Sequence, residues 1–167
     1  MKDLFNETTI TIRSMEKEDI LNITKIHTEA FPRQNHSLEW ISSNFNAFPR
    51  VRYYLAETPD GVVGYIQWIE KSGFRKEVVL ELEQIAVLPS SQGKGVGTSL
   101  ISQSLPLVAK ELEKREASIK HIVVSTRTDN KAQQLYTKAL KAYPEVTISN
   151  LYSADEVIMI SRNFSLK

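Results

Sequence analysis

No cysteine occurs among the 167 residues. That excludes disulfides, thiolate zinc sites, iron–sulfur clusters and a thiol nucleophile. Neither sign of charge is in excess: 21 Lys and Arg stand against 20 Asp and Glu, a net charge of +1. Such a balance argues against a nucleic-acid partner held mainly by phosphate contacts. Long apolar runs are absent too. The longest, such as Ile85–Leu88 and Val157–Ile160, are four residues, whereas a membrane span needs about 20 residues. The segment Met1–Glu7 has no apolar stretch and carries Asp3 and Glu7, so no signal peptide or membrane partner is expected and the cytoplasm is the default location. His27, His36 and His121 show no metal-ligand spacing, and no metal is expected. No G-x-S-x-G elbow supports a hydrolase.

What remains is ordinary globular composition, 41% hydrophobic and 25% charged. The length predicts one domain over residues 1–167, with residues 1–7 as a loose lead. Thr8–Arg13 is β-branched and alternating, a strand. Ser14 with Glu16, Glu18 and Asp19 marks a helix start, followed by Ile20, Ile23, His27, Ala30 and Phe31 at helical spacing, and Pro32 ends it. Ser37 caps a second short helix with Leu38, Ile41, Phe45 and Phe48 on one face, and Trp40 and Phe45 are expected in the core. Val51–Glu57 and Val62–Glu70 flank a Pro59-Asp60-Gly61 turn, a hairpin. Val78–Leu88 is a long strand. After a glycine loop comes a helix bearing Leu100, Ile101, Leu105, Val108 and Leu112, in which Pro106 predicts a kink and Glu111–Arg115 a solvated end. Ile119–Thr126 is a strand, Asp129–Ala142 a helix, and two strands close the chain near Glu145–Leu151 and Val157–Phe164. The order β-α-α-β-β-β-α-β-α-β-β predicts an α+β fold with one mixed sheet flanked by helices and a parallel crossover between residues 78 and 126.

The loop Ser90–Gly97 is the most informative stretch. Glycines let amides turn inward and a ligand come close, and a helix start favours phosphate. A Walker loop fails, because Gly95 stands where the Ser or Thr after Lys94 is needed. A dinucleotide fingerprint fails in both registers, with Thr98 or Leu100 in the third glycine position. Q-x-x-G-x-G is satisfied by Gln92, Gly95 and Gly97.

That pattern, with the strand bearing Glu81, Glu83 and Ile85-Ala86-Val87 before it and Pro89 between, resembles the coenzyme A segment of the GCN5-related N-acetyltransferase (GNAT) family. A second stretch, Asn130-Lys131-Ala132-Gln133-Gln134-Leu135-Tyr136-Thr137-Lys138, is similar to the family's helix that runs from an asparagine through an alanine to L-Y-x-K. The element order matches from Thr8 to Phe164. One departure stands out: where the family has Gly-Phe at the helix end, this chain has Ala139-Leu140-Lys141-Ala142-Tyr143-Pro144.

The resemblance implies acetyl transfer from acetyl-coenzyme A to a primary amine. It implies a sheet splayed after the strand 78–88, with backbone groups of Ile85, Ala86 and Val87 on pantetheine and an amide near Val87 polarising the thioester. The amides of Gln92, Gly93, Lys94, Gly95, Val96, Gly97 and Thr98 would cradle the pyrophosphate, and the Asn130 side chain would touch the far side of the cofactor. Tyr136 matches the family tyrosine that protonates the thiolate. Glu83 is the first candidate for the base and Glu81 the second. Strict alternation would place Glu81, Glu83, Ile85 and Val87 on one face and Leu80, Leu82, Gln84 and Ala86 on the other, unless a bulge intervenes.

Each assignment has a plainer counterpart: solvated strand acids for Glu81 and Glu83, packing for Tyr136, a surface charge for Lys94, a helix-face residue for His27. The connector Phe31–His36 is either a specificity loop or an ordinary link. A small-molecule or peptide amine is the expected acceptor, and a homodimer accords with the family. A non-catalytic acetyl-coenzyme A sensor is the alternative. Without cysteine, an acetyl-cysteine intermediate is excluded, so direct attack is expected unless a serine intervenes.

Overall fold

The computed structural model describes residues 9–166. Thr8 and the lead 1–7 lie outside them. The elements are β1 (Thr11–Ser14), a 3₁₀ turn (Lys17–Asp19), α1 (Ile20–Ala30), α2 (Ser37–Asn46), β2 (Val51–Thr58), β3 (Gly61–Glu70), β4 (Glu77–Val87), a 3₁₀ turn (Pro89–Ser91), α3 (Val96–Glu113), β5 (Ser118–Arg127), α4 (Gln133–Leu140), β6 (Tyr143–Ile148) and β7 (Glu156–Ser161). They form a mixed α+β structure around one seven-stranded sheet in the order β1-β2-β3-β4-β5-β7-β6. β4 and β5 are parallel. The other neighbours run antiparallel.

Local chemistry explains the joints. The Glu16 amide donates to Asp19 Oδ2 at 2.8 Å, a capping interaction before α1. Arg13 holds that same carboxylate at 2.7 Å and Glu57 at 2.9 Å, tying β1, the helix start and β2 together. Gly61, at φ 117°, closes the β2–β3 hairpin. α3 and α4 bury Leu100, Ile101, Leu105, Val108, Leu112, Tyr136 and Leu140 on one face of the sheet, against Trp68, Leu80 and Leu82. On the other face, Ile23, Ile26 and Ile41 meet Leu55, Tyr65 and Ala86.

α3 runs from Val96 to Glu113 with Pro106 inside it. The buried Leu105 and Val108 on either side of the proline, and the Trp68 indole donating to Ser104 at 2.8 Å, anchor the turns around it. Arg115 is not a solvated end, because it bonds buried Glu70 at 2.7 Å.

The helix placed at Asp129–Ala142 is also shorter than expected, Gln133–Leu140, so that β6 starts at Tyr143. Lys141 ends it in the left-handed conformation, φ 56°, and Thr137 Oγ1 donates to the Ala142 carbonyl at 3.1 Å. A lysine thus takes the place of the glycine that the family pattern has near here. Left-handed backbone costs a side-chain-bearing residue roughly 1–2 kcal/mol, partly offset by the entropy glycine adds to the unfolded chain. Lys141→Gly is expected to stabilise the fold by about 0.5–1 kcal/mol, a rise of about 1–4 °C in Tm by calorimetry.

Candidate active site

β4 and β5 pair only from Glu77 opposite Ser118 to Leu82 opposite Val124. Beyond that point β4 continues to Val87 and β5 to Arg127 with no pairing between them, so the sheet splays. The Leu88 amide donates to Val63 at 2.8 Å. Alternation along an antiparallel strand therefore turns the backbone groups of Ala86 toward β3 as well, and those of Ile85 and Val87 toward the gap. A Cβ placed on Gly64 would lie 2.7 Å from the Ala86 oxygen, which fits that orientation. Of the three backbone positions expected to face a ligand, Ile85 and Val87 turn toward the gap and Ala86 toward β3, while all three line the cleft described below.

Strict alternation fails at Glu83. Gln67 pairs with Gln84 and Trp68 with Leu82, leaving Glu83 as the extra residue of a β-bulge. Leu80, Leu82, Ile85 and Val87 pack on the α3 face, while Gln84 and Ala86 turn to the α1–α2 face. Glu81 lies across from Ile69 on that second face. Glu83 feels the charges of Glu81, Lys71 and Arg50, which places it there too. The bulge thus keeps both acids together and swaps the apolar residues beside them.

The gap opens into a cleft of about 350 Å³ lined by Ile85, Ala86, Val87, Gln92, Asn130 and Tyr136. Helix α1 adds Ile26 and Glu29, which carry no motif in the sequence, and Phe31 just after it adds its ring. Gln92 donates its side-chain amide to the Val87 carbonyl at 3.0 Å, pinning the loop to the strand end. Gly93 at φ 72° and Gly95 at φ 80° take left-handed backbone, and a Cβ at either position would meet nothing within 4 Å, so conformation and not space requires glycine there. Gly97 differs: a Cβ would sit 3.2 Å from Leu135, so close helix packing selects it. Gly95 precedes α3, whose first amides, on Val96, Gly97 and Thr98, have no partner within the helix. The Val96 side chain is core, and Lys94 is exposed at the loop tip. Asn130 donates to Thr126 Oγ1 at 2.8 Å and accepts from the Ala132 amide at 2.9 Å. It therefore fastens the start of α4 to β5 besides lining the cleft. Burial pushes the Tyr136 hydroxyl up to about 12.

On the other side of the bulge lies a polar row. Glu83 is half-buried, and its carboxyl is raised above the usual range, by burial first and then by the charge of Glu81, against the opposing pull of Lys71 and Arg50. Glu81 itself pairs with Lys71 at 2.6 Å. Tyr53, Gln67 and Gln84 stand opposite one another on β2, β3 and β4. Tyr53 Oη and both amide atoms of Gln67 are buried and have no hydrogen-bond partner among the described residues. Burial and the nearby Glu83 raise the Tyr53 hydroxyl. Gln84 is held on all sides: it accepts from Tyr65 Oη at 3.0 Å and Trp40 Nε1 at 3.4 Å, and donates to His27 Nε2 at 3.4 Å. His27, kept neutral by burial, bonds Ser37 through Nδ1 at 2.9 Å. Expectations for His27 and Trp40 change accordingly. His27 is fully buried in this network, and Trp40 is 39% exposed, lying over Gln84 instead of inside the core. The row gave one faint signal in the sequence, a lone Gln67 in the apolar run Tyr65–Ile69.

Beyond Glu81, a groove of about 830 Å³ crosses the sheet face, with Val79, Val123 and Ile158 on its floor and Lys71, Arg75 and Lys76 along its rim. Among the described residues no group of three or more His, Asp or Glu could hold a metal ion, and no helix is long and apolar enough to cross a membrane.

The splayed strands, the glycine loop at a helix start and the tyrosine helix define an acyltransferase of coenzyme A type. The family model for the acetyltransferase (GNAT) domain matches residues 49–139, more than half of the chain, and the protein belongs to that family. Solved structures agree on the fold. The ribosomal-protein-S18-alanine N-acetyltransferase of Escherichia coli is 22% identical, with a TM-score of 0.73 over 95% of this chain and 97% of that one. A spermidine N-acetyltransferase from Vibrio cholerae is 20% identical, TM-score 0.69, covering 92% and 94%. Arabidopsis thaliana NAA60 in complex with acetyl-CoA is 13% identical, TM-score 0.73, covering 91% and 97%. No curated protein matches the chain.

Proposed function

We propose that the protein moves the acetyl group of acetyl-coenzyme A to a primary amine by direct attack in a ternary complex. The observation that carries this is the unpaired gap between β4 and β5, which leads from the Tyr136 cleft to the face bearing Glu83. The residues present suit the donor: free amides at the start of α3 for phosphate, backbone of Ile85 and Val87 toward the gap, and a cleft for the pantetheine arm. When bound, acetyl-coenzyme A supplies the thioester carbon that the amine attacks.

Glu83 answers the main chemical difficulty. A lysine-like amine with pKa near 10.4 is neutral in only about one molecule in 10³ at pH 7. A carboxylate raised by burial is a better proton acceptor than an ordinary one. The backbone amides facing the gap stabilise the charge that develops on the carbonyl oxygen. Tyr136 holds its proton at neutral pH and donates a hydrogen bond to the departing sulfur. Full transfer from a phenol near 12 to a thiolate near 8.5 runs uphill by about 5 kcal/mol. Its contribution is therefore strongest while charge is building on the sulfur.

Initial rates of thiol release over a matrix of acetyl-coenzyme A and amine concentrations test the proposal. Intersecting double-reciprocal lines are expected, and parallel lines would exclude direct attack. Tyr136→Phe is expected to lower kcat about 10–100-fold, the worth of one charge-assisted hydrogen bond, with coenzyme A affinity held within about threefold. An unchanged kcat would reduce Tyr136 to packing.

A further inference from the structure

The groove beside the site is charged unevenly along its length. At its inner end, toward the bulge, lies Glu81, with Glu83 two residues further along β4. At its outer end lie Arg75 and Lys76 on the β3–β4 loop and Lys120 on β5. Four cations line the groove against two carboxylates, Glu77 and Glu81. Both carboxylates are already engaged, Glu81 by Lys71 at 2.6 Å and Glu77 by Lys120 at 3.2 Å. Arg75 and Lys76 have no carboxylate partner among the described residues. Arg75 makes one hydrogen bond, to the Ser72 carbonyl. His121 accepts the Asn163 amide at Nδ1. The floor of Val79, Val123 and Ile158 is apolar, and α1 and α2 lie over β2, β3 and β4 instead of this part of the sheet.

Resting on the acetyl-transfer reading, we propose that the groove selects an extended peptide whose amino terminus reaches Glu83 and whose third to fifth residues carry acidic side chains. Lys120 stands level with Val78 and Val79 across the parallel pair. Val79 is four strand residues from Glu83, about 13 Å, which an extended peptide spans in about four residues. The ammonium group meets the acidic end, the peptide lies on the apolar floor, and its acids meet the basic end. A polyamine, cationic along its whole length, is matched at the first point and opposed at the second. This separates two acceptor chemistries that the shared fold leaves equal, since one similar structure is a ribosomal-protein-S18-alanine N-acetyltransferase and another a spermidine N-acetyltransferase.

Peptides with the same first two residues, bearing Asp-Glu or Lys-Lys at the third and fourth, are the probes, with spermidine as the polycation. The acidic peptide is expected to have a kcat/KM about tenfold or more above the basic one and above spermidine. R75E/K76E is expected to invert the order, with coenzyme A binding at the remote cleft reporting that the variant is folded. Equal kcat/KM for the two peptides, or a preference that survives the charge reversal, overturns the inference. Fluorescence anisotropy of the labelled peptides with coenzyme A present gives a second readout that needs no turnover. There the acidic peptide binds more tightly, and the margin shrinks at about 0.5 M salt as exposed charges are screened. An acidic preference in binding without acetylation of any amine would sink the acetyl-transfer reading and sustain the groove. Acetylation indifferent to peptide charge would do the reverse.

Discussion

Glu83→Gln lowers kcat by about 10²–10⁴-fold, the usual worth of a positioned general base, and at the same time makes the folded protein more stable at neutral pH. Both effects come from where Glu83 sits. Its carboxylate is half-buried on the α1–α2 face beside Glu81. Burial and a like charge disfavour the ionised form, which improves Glu83 as a base and burdens the fold. Glutamine keeps the shape and removes the charge. Glu81→Gln is the control. It breaks an ion pair with Lys71, whose side chain is 45% exposed, worth about 0–1 kcal/mol, and changes the rate by less than about tenfold if Glu83 is the base. A larger loss at Glu81 than at Glu83 would reverse the assignment.

The stability effect has a definite dependence on pH. A carboxyl raised on folding binds its proton more tightly in the folded than in the unfolded chain. The stability it contributes is fully present below its unfolded value, near 4.3, and is lost as the pH climbs through the higher folded value. The wild type therefore loses stability relative to Glu83→Gln across that window, and the difference is constant above it. Urea unfolding at pH 4 and pH 7.5 reads this directly: nearly coincident midpoints at the lower pH, a higher midpoint for Glu83→Gln at the upper. A wild type more stable than the variant at pH 7.5 would mean that Glu83 is held by a favourable contact and is not strained.

The order of strands and helices was legible in the sequence because periodicity and turn chemistry are local, and Pro59-Asp60-Gly61 or the Gln92–Gly97 loop carry their geometry within a few residues. The residues of the two motifs do meet in one cleft, lined by Ile85, Ala86, Val87, Gln92, Asn130 and Tyr136. The facing of β4 was not legible. A bulge is decided by how β3 and β4 pair over their whole length, and one extra residue at Glu83 exchanges the faces of Gln84 and Ile85. The end of α4 was misplaced because Lys141 adopts a conformation that its identity does not advertise. The groove was invisible for another reason: the loop 71–76, read as a polar connector, becomes a basic rim only when β5 brings Lys120 beside it.

That loop leads to the largest expected loss of stability. Glu70→Ala destabilises the protein by about 3–5 kcal/mol, the cost of removing one partner from a buried ion pair. Glu70, 1% exposed, accepts from Arg52 Nη1 at 2.9 Å and from Arg115 Nη2 at 2.7 and 2.8 Å. It joins the start of β2, the end of β3 and the turn after α3. Arg52 is as deeply buried as its partner, 3% exposed. Its Nε already lacks a hydrogen bond among the described residues, so loss of the carboxylate strands a buried charge. Arg115, 30% exposed, can turn outward, and Arg115→Ala is expected to cost markedly less. For a chain of this size the loss at Glu70 corresponds to a drop of about 6–20 °C in Tm. Replacing both buried partners, E70L/R52L, is expected to recover much of it, because apolar side chains of similar volume avoid the desolvation that the pair incurs. Recovery would show that the pair acts through charge complementarity; a double variant no better than Glu70→Ala would show that packing geometry is what matters. The pair also reaches the groove. Arg115 stacks on Phe74 of the 71–76 loop at 4.3 Å, and Lys71 follows Glu70 directly. In Glu70→Ala assayed well below its Tm, KM for the amine is therefore expected to rise several-fold, while coenzyme A affinity, set at the opposite end of β4, stays within about twofold.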